Sequence, residues 1–316
     1  MFRTIAVPLD GSAAAECALP HAAALARASA GRLELLRVHQ KHRPGEALEA
    51  IPAYAWEQVV AYDNGMDQEA FEREADELTA RTARTTVRWG VHAVAHLLRG
   101  DPAPAIVEHV REAGVDLMVV ATHASGGRMH GPLGSVAEAI VRESHVPVLL
   151  LRPGPSGPAP DEEPALRSIL VPLDGSAFSE TVIEPVVSLA LATGAEVWLL
   201  RVVGPGEMPS FIHAQLPPSP EAYLQRIAGV LPPDVTVSGA RVVVDPSASL
   251  AILREAELLG VDLVAMATHG TGGARSLLLG STAAQVLRGI RKPLLLFRPP
   301  PLARGRPHYR HAYATV

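Results

Sequence analysis

The strongest constraint on this chain is that it repeats itself. Val7-Pro8-Leu9-Asp10-Gly11-Ser12 recurs unchanged as Val171-Pro172-Leu173-Asp174-Gly175-Ser176, and Leu35-Leu36-Arg37-Val38 returns as Leu199-Leu200-Arg201-Val202, both 164 residues on. Gly114-Val115-Asp116-Leu117 returns as Gly260-Val261-Asp262-Leu263, now 146 residues on. Ala121-Thr122-His123, Gly126-Gly127, Gly134-Ser135 and Pro147 keep that second offset. An identical hexapeptide followed by further blocks in the same order marks a tandem duplication. The offset falls by 18, so the first half carries about that many extra residues between Val38 and Gly114.

A length of 316 residues suits two ordinary domains. The segment 153–166 is rich in Pro and Gly and reads as an extended linker. It separates a first domain at 1–152 from a second at 167–298, with a loosely ordered tail at 299–316. Apolar residues make up 48%, charged residues 19%, and the net charge is −5, which excludes a disordered or collagen-like chain and gives no electrostatic reason for a nucleic-acid partner. Aromatics are only 4%, so the cores must be aliphatic. The single cysteine, Cys17, excludes an intrachain disulfide and a Cys-based zinc site. Met1 to Ser12 has no apolar run of the signal-peptide kind, and the longest apolar stretches, such as Val146 to Leu151, are strand-length. The expectation is a cytoplasmic protein with no membrane partner.

Short β-branched runs alternate with helical patterns. In the first half the strands fall near Thr4–Leu9, Arg32–Val38, Val87–Ala95, Asp116–Ala121 and Val146–Leu151. Helices fall between them near Ala13–Ala30, Asp67–Thr85, Pro102–Ala113 and Ser135–Glu143. The second half repeats the order, with strands near Ser168–Leu173, Glu196–Val203, Val235–Val244, Asp262–Ala267 and Pro293–Arg298. Apolar strands separated by helices imply α/β domains, each a doubly wound, Rossmann-like five-stranded parallel sheet covered on both faces. Ligands then belong at the carboxyl ends of the strands.

Three segments converge at those ends. The first strand ends in Pro8, Asp10 and Ser12, matched by Pro172, Asp174 and Ser176. Gly and Ser are explained there by a capped strand-to-helix turn, whereas the Asp pair wants a partner or a ligand. Val38 and Val202, at the end of the second strand, read on spacing alone as buried strand residues. The third segment follows strand four, where Gly270, Gly272, Gly273, Gly280, Ser281 and Thr282 have the composition of a phosphate cradle opening a helix. No G-x-G-x-x-G follows the first strand of either half and no G-x-x-x-x-G-K-[ST] exists, which counts against a dinucleotide dehydrogenase and a P-loop NTPase.

With these residues the chain resembles the universal stress proteins, as two such domains in tandem. Family members that bind ATP carry G-x2-G-x9-G-[ST] after strand four. The second half reads Ala267-x2-Gly270-x9-Gly280-Ser281, departing only at the first glycine. The first half reads Ala121-x2-Ala124-x9-Gly134-Ser135, with both leading glycines replaced, so a weaker or altered site is expected there. The resemblance implies adenine and ribose against Pro8, Asp10 and Val38, or Pro172, Asp174 and Val202. It implies phosphates at Gly134, Ser135 and Val136 in the first half and at Gly270, Gly280, Ser281 and Thr282 in the second, with Mg as a counter-ion. A nucleotide-dependent stress-response regulator follows. A slow ATP hydrolase and a nucleotide-free interaction module are the alternatives, since His123 and His269 are equally explained as loop structure. A duplicated chain should also pack its halves as a pseudo-symmetric pair, with dimerisation between chains left open.

Other signals carry less. His92 and His96 lie four apart on a strand pattern and His308 and His311 three apart in the tail, and neither set has further ligands near it in sequence, so no metal site is expected. Cys17 reads as a small core residue. The apolar segment Leu48 to Tyr62 falls in the extra length of the first half and is expected to cover the ligand site or the domain interface.

Overall fold

A computed structural model describes residues 2–40, 56–122, 133–153, 164–205, 219–268 and 279–299, with 56–66 described through their backbone only. The first half runs β1 (Thr4–Pro8), α1 (Ala13–Glu16), α2 (Ala18–Ala28), β2 (Arg32–His39), α3 (Trp56–Trp89), β3 (His92–Arg99), α4 (Pro102–Glu112), β4 (Leu117–Ala121), α5 (Ser135–Glu143) and β5 (Val148–Leu151). The second half repeats this as β6 (Ser168–Pro172), α6 (Ala177–Glu180), α7 (Ile183–Thr193), β7 (Glu196–Val203), α8 (Pro220–Val230), β8 (Val237–Val244), α9 (Ala248–Leu258), β9 (Leu263–Ala267), α10 (Ser281–Gly289) and β10 (Leu294–Phe297).

Within each half the strands are parallel, and β4 and β9 are buried at every residue, as a sheet covered on both faces requires. The two sheets do not stay separate. They join through an antiparallel pairing of β5 and β10, Leu150 opposite Leu294 and Leu149 opposite Leu295, into one ten-stranded sheet ordered β3-β2-β1-β4-β5-β10-β9-β6-β7-β8. The order is the same read from either edge inward, so the junction has the form of an isologous dimer contact carried inside one chain. Arginines repeat the symmetry. Arg152 donates to the carbonyls of Leu287 (2.7 Å) and Arg288 (3.0 Å) at the end of α10, and its counterpart Arg298 donates to the Arg142 carbonyl at the end of α5. A cation at a helix carboxyl end is favoured by the helix dipole.

Each face of the sheet buries one continuous aliphatic core, and both cores cross the junction. Val7, Leu33, Leu35 and Leu149 share the first with Leu199, Leu263 and Leu295, under α2 and α7. Leu36, Met118 and Leu150 share the second with Leu200, Val264 and Leu294, under α4, α5, α9 and α10.

Two elements differ from the sequence expectation. Val87 does not begin a strand; it is an exposed residue of α3, and the strand runs from His92 to Arg99. The run Thr85-Thr86-Val87 is β-branched, but Leu78, Thr82, Thr85 and Trp89 are buried at helical spacing, and that stripe decides the local structure. Gly90, at φ +62°, then supplies the left-handed turn into the strand. The helix expected over Ala13–Ala30 is two helices that meet at Cys17. Cys17 itself packs against the first core, and burial pushes its thiol up to about 11. Of the apolar segment Leu48 to Tyr62, residues 48–55 lie outside the described residues and the remainder opens α3.

Candidate functional site

In each half the chain winds outward from its first strand in two directions, to β2 and β3 on one side and to β4 and β5 on the other. In open α/β sheets such a reversal is the place of the ligand crevice, which here falls at the carboxyl ends of β1 and β4, or of β6 and β9. Pro8 pairs with Leu36, so Val38 stands two residues, ~7 Å, beyond it along the neighbouring strand. Ala121 and Ala267 end β4 and β9 and are buried. The fold thus brings the expected residues of strands one, two and four to one edge.

The turn after the first strand is built alike in both halves. Gly11 (φ +84°) and Gly175 (φ +82°) adopt a backbone that a side chain would strain. Asp10 accepts from the Ser12 N–H (2.9 Å) and hydroxyl (2.5 Å), and Asp174 accepts from the Ser176 N–H (2.9 Å) and hydroxyl (2.6 Å). Each serine oxygen in turn caps the next helix, accepting at 3.1 Å from Ala15 or Ser179. The aspartates are therefore fixed in place by the turn itself. Because Ser176 serves both carboxylate and helix, Ser176→Ala is expected to lower stability by about 1 kcal/mol, read from urea unfolding.

The helices that face the crevice after strand four are capped differently. Helices α1, α6, α8 and α9 begin at serines whose hydroxyls accept a first-turn N–H. Helices α5 and α10 begin at Gly134 and Gly280, with no side-chain cap. The first turns at Ser135 and Val136, and at Ser281 and Thr282, therefore present N–H groups that no helix carbonyl satisfies. Gly280 is held by its own N–H, which donates to the Thr268 carbonyl at 2.8 Å. Gly270, together with His123, Ala124 and His269, lies outside the described residues.

The halves differ along the second strand. Helix α3 has 34 residues against 11 in α8. It grips the end of β2 with charge: Arg37 pairs with Glu77 (2.9 Å) and Glu74 (3.1 Å). His39 sits between Asp67 (2.8 Å) and Glu74 (3.0 Å), and Arg99 lies over the Phe71 ring at 3.8 Å. Val38, between Arg37 and His39, turns to the opposite core, so the first-half crevice has an anchored wall.

A sequence model of the universal stress protein family matches residues 1–152 and again residues 165–298. The chain belongs to that family. It is a tandem universal stress protein of two α/β domains. It is similar to universal stress protein Rv2005c of Mycobacterium tuberculosis, 31% identical over 208 residues that cover 64% of this chain and 68% of that protein. A universal stress protein of Thermus aquaticus is 34% identical over 153 residues, 48% of this chain and all of that one. The crystal structure of a universal stress protein from Archaeoglobus fulgidus shares the fold, with a TM-score of 0.69 at 18% identity over 93% of this chain and 98% of that chain. Among the described residues no helix of this universal stress protein is long and apolar enough to cross a membrane.

One cluster was not legible in sequence. His96 of β3 is met by His109 of α4 and Glu34 of β2, residues that sequence neighbourhood does not connect. Burial, and then the adjacent His109, push His96 below the ordinary histidine range, against a smaller opposing pull from Glu34.

Proposed function

We propose that this universal stress protein binds an adenine nucleotide, ATP with Mg as its counter-ion, and that the second half holds the stronger site. The observation that carries this is the pair of glycine-started helices: in α10 the first turn offers N–H groups that no helix carbonyl satisfies, two hydroxyls and a positive dipole end toward the crevice. Asp174 and Asp10, fixed by their serines, are acceptors of the kind that ribose hydroxyls bind, and the strand ends at Val202 and Val38 suit an adenine edge. Both halves carry alanine at the first glycine position, Ala121 and Ala267, but only the first half also replaces the second glycine, with Ala124 where the second half keeps Gly270, and a Cβ there opposes close approach of the backbone to phosphates. The function is then regulation: occupancy shifts conformation or association by the nucleotide's differential affinity for the two states.

The test is the amount of adenine nucleotide released on denaturing freshly purified protein, followed by ATP titration of the emptied chain. Gly280→Asp suits the fold, because Gly280 has an ordinary φ of −57° and Asp is a good helix cap. It nevertheless places a carboxylate where the phosphates would lie. ATP affinity is expected to fall at least tenfold in Gly280→Asp and much less in Gly134→Asp. A chain that carries no nucleotide and binds no added ATP would overturn the reading.

A further inference from the structure

Glu34, His96 and His109 bring one carboxylate oxygen and two imidazole nitrogens within 4.8 Å of one another, on β2, β3 and α4. Glu34 Oε2 is 2.9 Å from His109 Nε2 and 3.8 Å from His96 Nε2, and the two rings lie 4.5 Å apart. Zinc bound tetrahedrally at ~2.0–2.1 Å needs its ligand atoms ~3.3 Å apart, and the observed separations bracket that value. We propose that these three side chains form a zinc site, separate from the nucleotide crevice.

The surroundings order the three ligands. Arg32 holds the other Glu34 oxygen at 3.1 Å, so the carboxylate is oriented as the supporting contacts of a metal ligand orient it. His109 lies in the last turn of α4, where the helix dipole favours positive charge. Glu34 is nearly inaccessible, whereas a third of the His96 side chain is exposed, which leaves an entry path and room for water as a fourth ligand. Two imidazoles and one carboxylate select a borderline ion such as zinc over magnesium or calcium, which prefer all-oxygen sets.

The duplicated half supplies an internal control. The strand registers put Trp198 at the place of Glu34 and Arg241 at the place of His96, and Glu255 of α9 stands where His109 stands in α4. There Arg241 and Glu255 form an ion pair at 2.8 Å. The fold therefore forms at this place without imidazoles or a carboxylate on the second strand, and among the described residues only the first half gathers a ligand set. Glu34 lies four residues before Val38, ~13 Å along the strand, so bound zinc would tie α4 to the edge strands without touching the nucleotide.

The experiment uses the full, tag-free chain stripped with chelator, titrated with Zn²⁺ against a chromophoric competitor. One tight equivalent is expected, weakened at least tenfold in His96→Ala and in His109→Ala and unchanged in His308→Ala/His311→Ala. Thermal unfolding separates ligation from a plain hydrogen bond. Zinc should raise the midpoint of the wild-type chain and leave that of the variants where it stands in chelator. If His109→Ala fails to fold, His96→Gln, at a side chain one-third exposed, carries the same comparison. Zinc binding by the His96→Ala/His109→Ala chain as tight as wild type, binding lost with the tail histidines instead, or no tight equivalent at all would each overturn the proposal.

Discussion

Leu295→Ala should lower the stability of the whole chain by about 2–5 kcal/mol, and both halves should unfold in one earlier transition. Leu295 is completely buried, sits opposite Leu149 in the only antiparallel pairing among the described strands, and belongs to the core that runs beneath both halves. Removing its side chain leaves a cavity at the seam, where rigid β-structure on both sides resists collapse. The loss is felt twice, in the packing of β10 and in the contact that joins the sheets. Hydrogen exchange of β2 and β7 in the variant is the direct measurement. Equal loss of protection in the two strands is expected. Loss confined to β7 would mean that the shared cores do not couple the halves.

Acid should weaken the same seam through His21. This residue is on α2 and lines a cavity with Leu25 and Leu149 from its own half and Leu189, Thr193 and Leu263 from the other. Burial pushes its imidazole down to about 4, with the Cys17 backbone acting more weakly in the opposite direction, and its Nδ1 is buried without a hydrogen-bond partner among the described residues. An unfolded chain takes up this proton near pH 6.5, so between about pH 6.5 and 4 the unfolded state binds more protons than the folded one. Stability is then full above the unfolded value and falls as the pH drops, by on the order of 3 kcal/mol across that window. Asp262, which lines the same cavity, does not relieve this, because its carboxylate accepts from the Arg167 and Ser168 N–H groups at 2.8 and 3.0 Å. Urea unfolding of wild type and His21→Gln at pH 7 and pH 4.5 isolates the effect. The wild type should lose more stability than the variant, and parallel losses would show that His21 takes up its proton as readily in the folded chain as in the unfolded one.

Much of the candidate site was legible because duplication prints it twice. Asp10 and Asp174 stand out by recurring inside an unchanged hexapeptide, and Gly280-Ser281 by its match to Gly134-Ser135. The Asp–Ser hydrogen bonds follow from a spacing of two residues, which is within reach of one turn. The Glu34–His96–His109 cluster had no such signal. Its members are 62 and 13 residues apart, and only the register of β2 on β3 and the descent of α4 across them bring the side chains together. The strand placed at Val87 shows the opposite failure: local β-branching was real, but it was outweighed by the burial of Leu78, Thr82, Thr85 and Trp89 on one helical face.

The sequence by itself determined the duplication, the alternation of strand and helix, and the residues that end the first, second and fourth strands. Those are local properties, written in spacing, turn residues and repeats. Tertiary structure alone decided that two five-stranded sheets become one of ten strands, and which charged residues meet across it. Edge pairing of β5 with β10 leaves no local mark, because Val148–Leu151 and Leu294–Phe297 would read as the same buried apolar strands beside any neighbour.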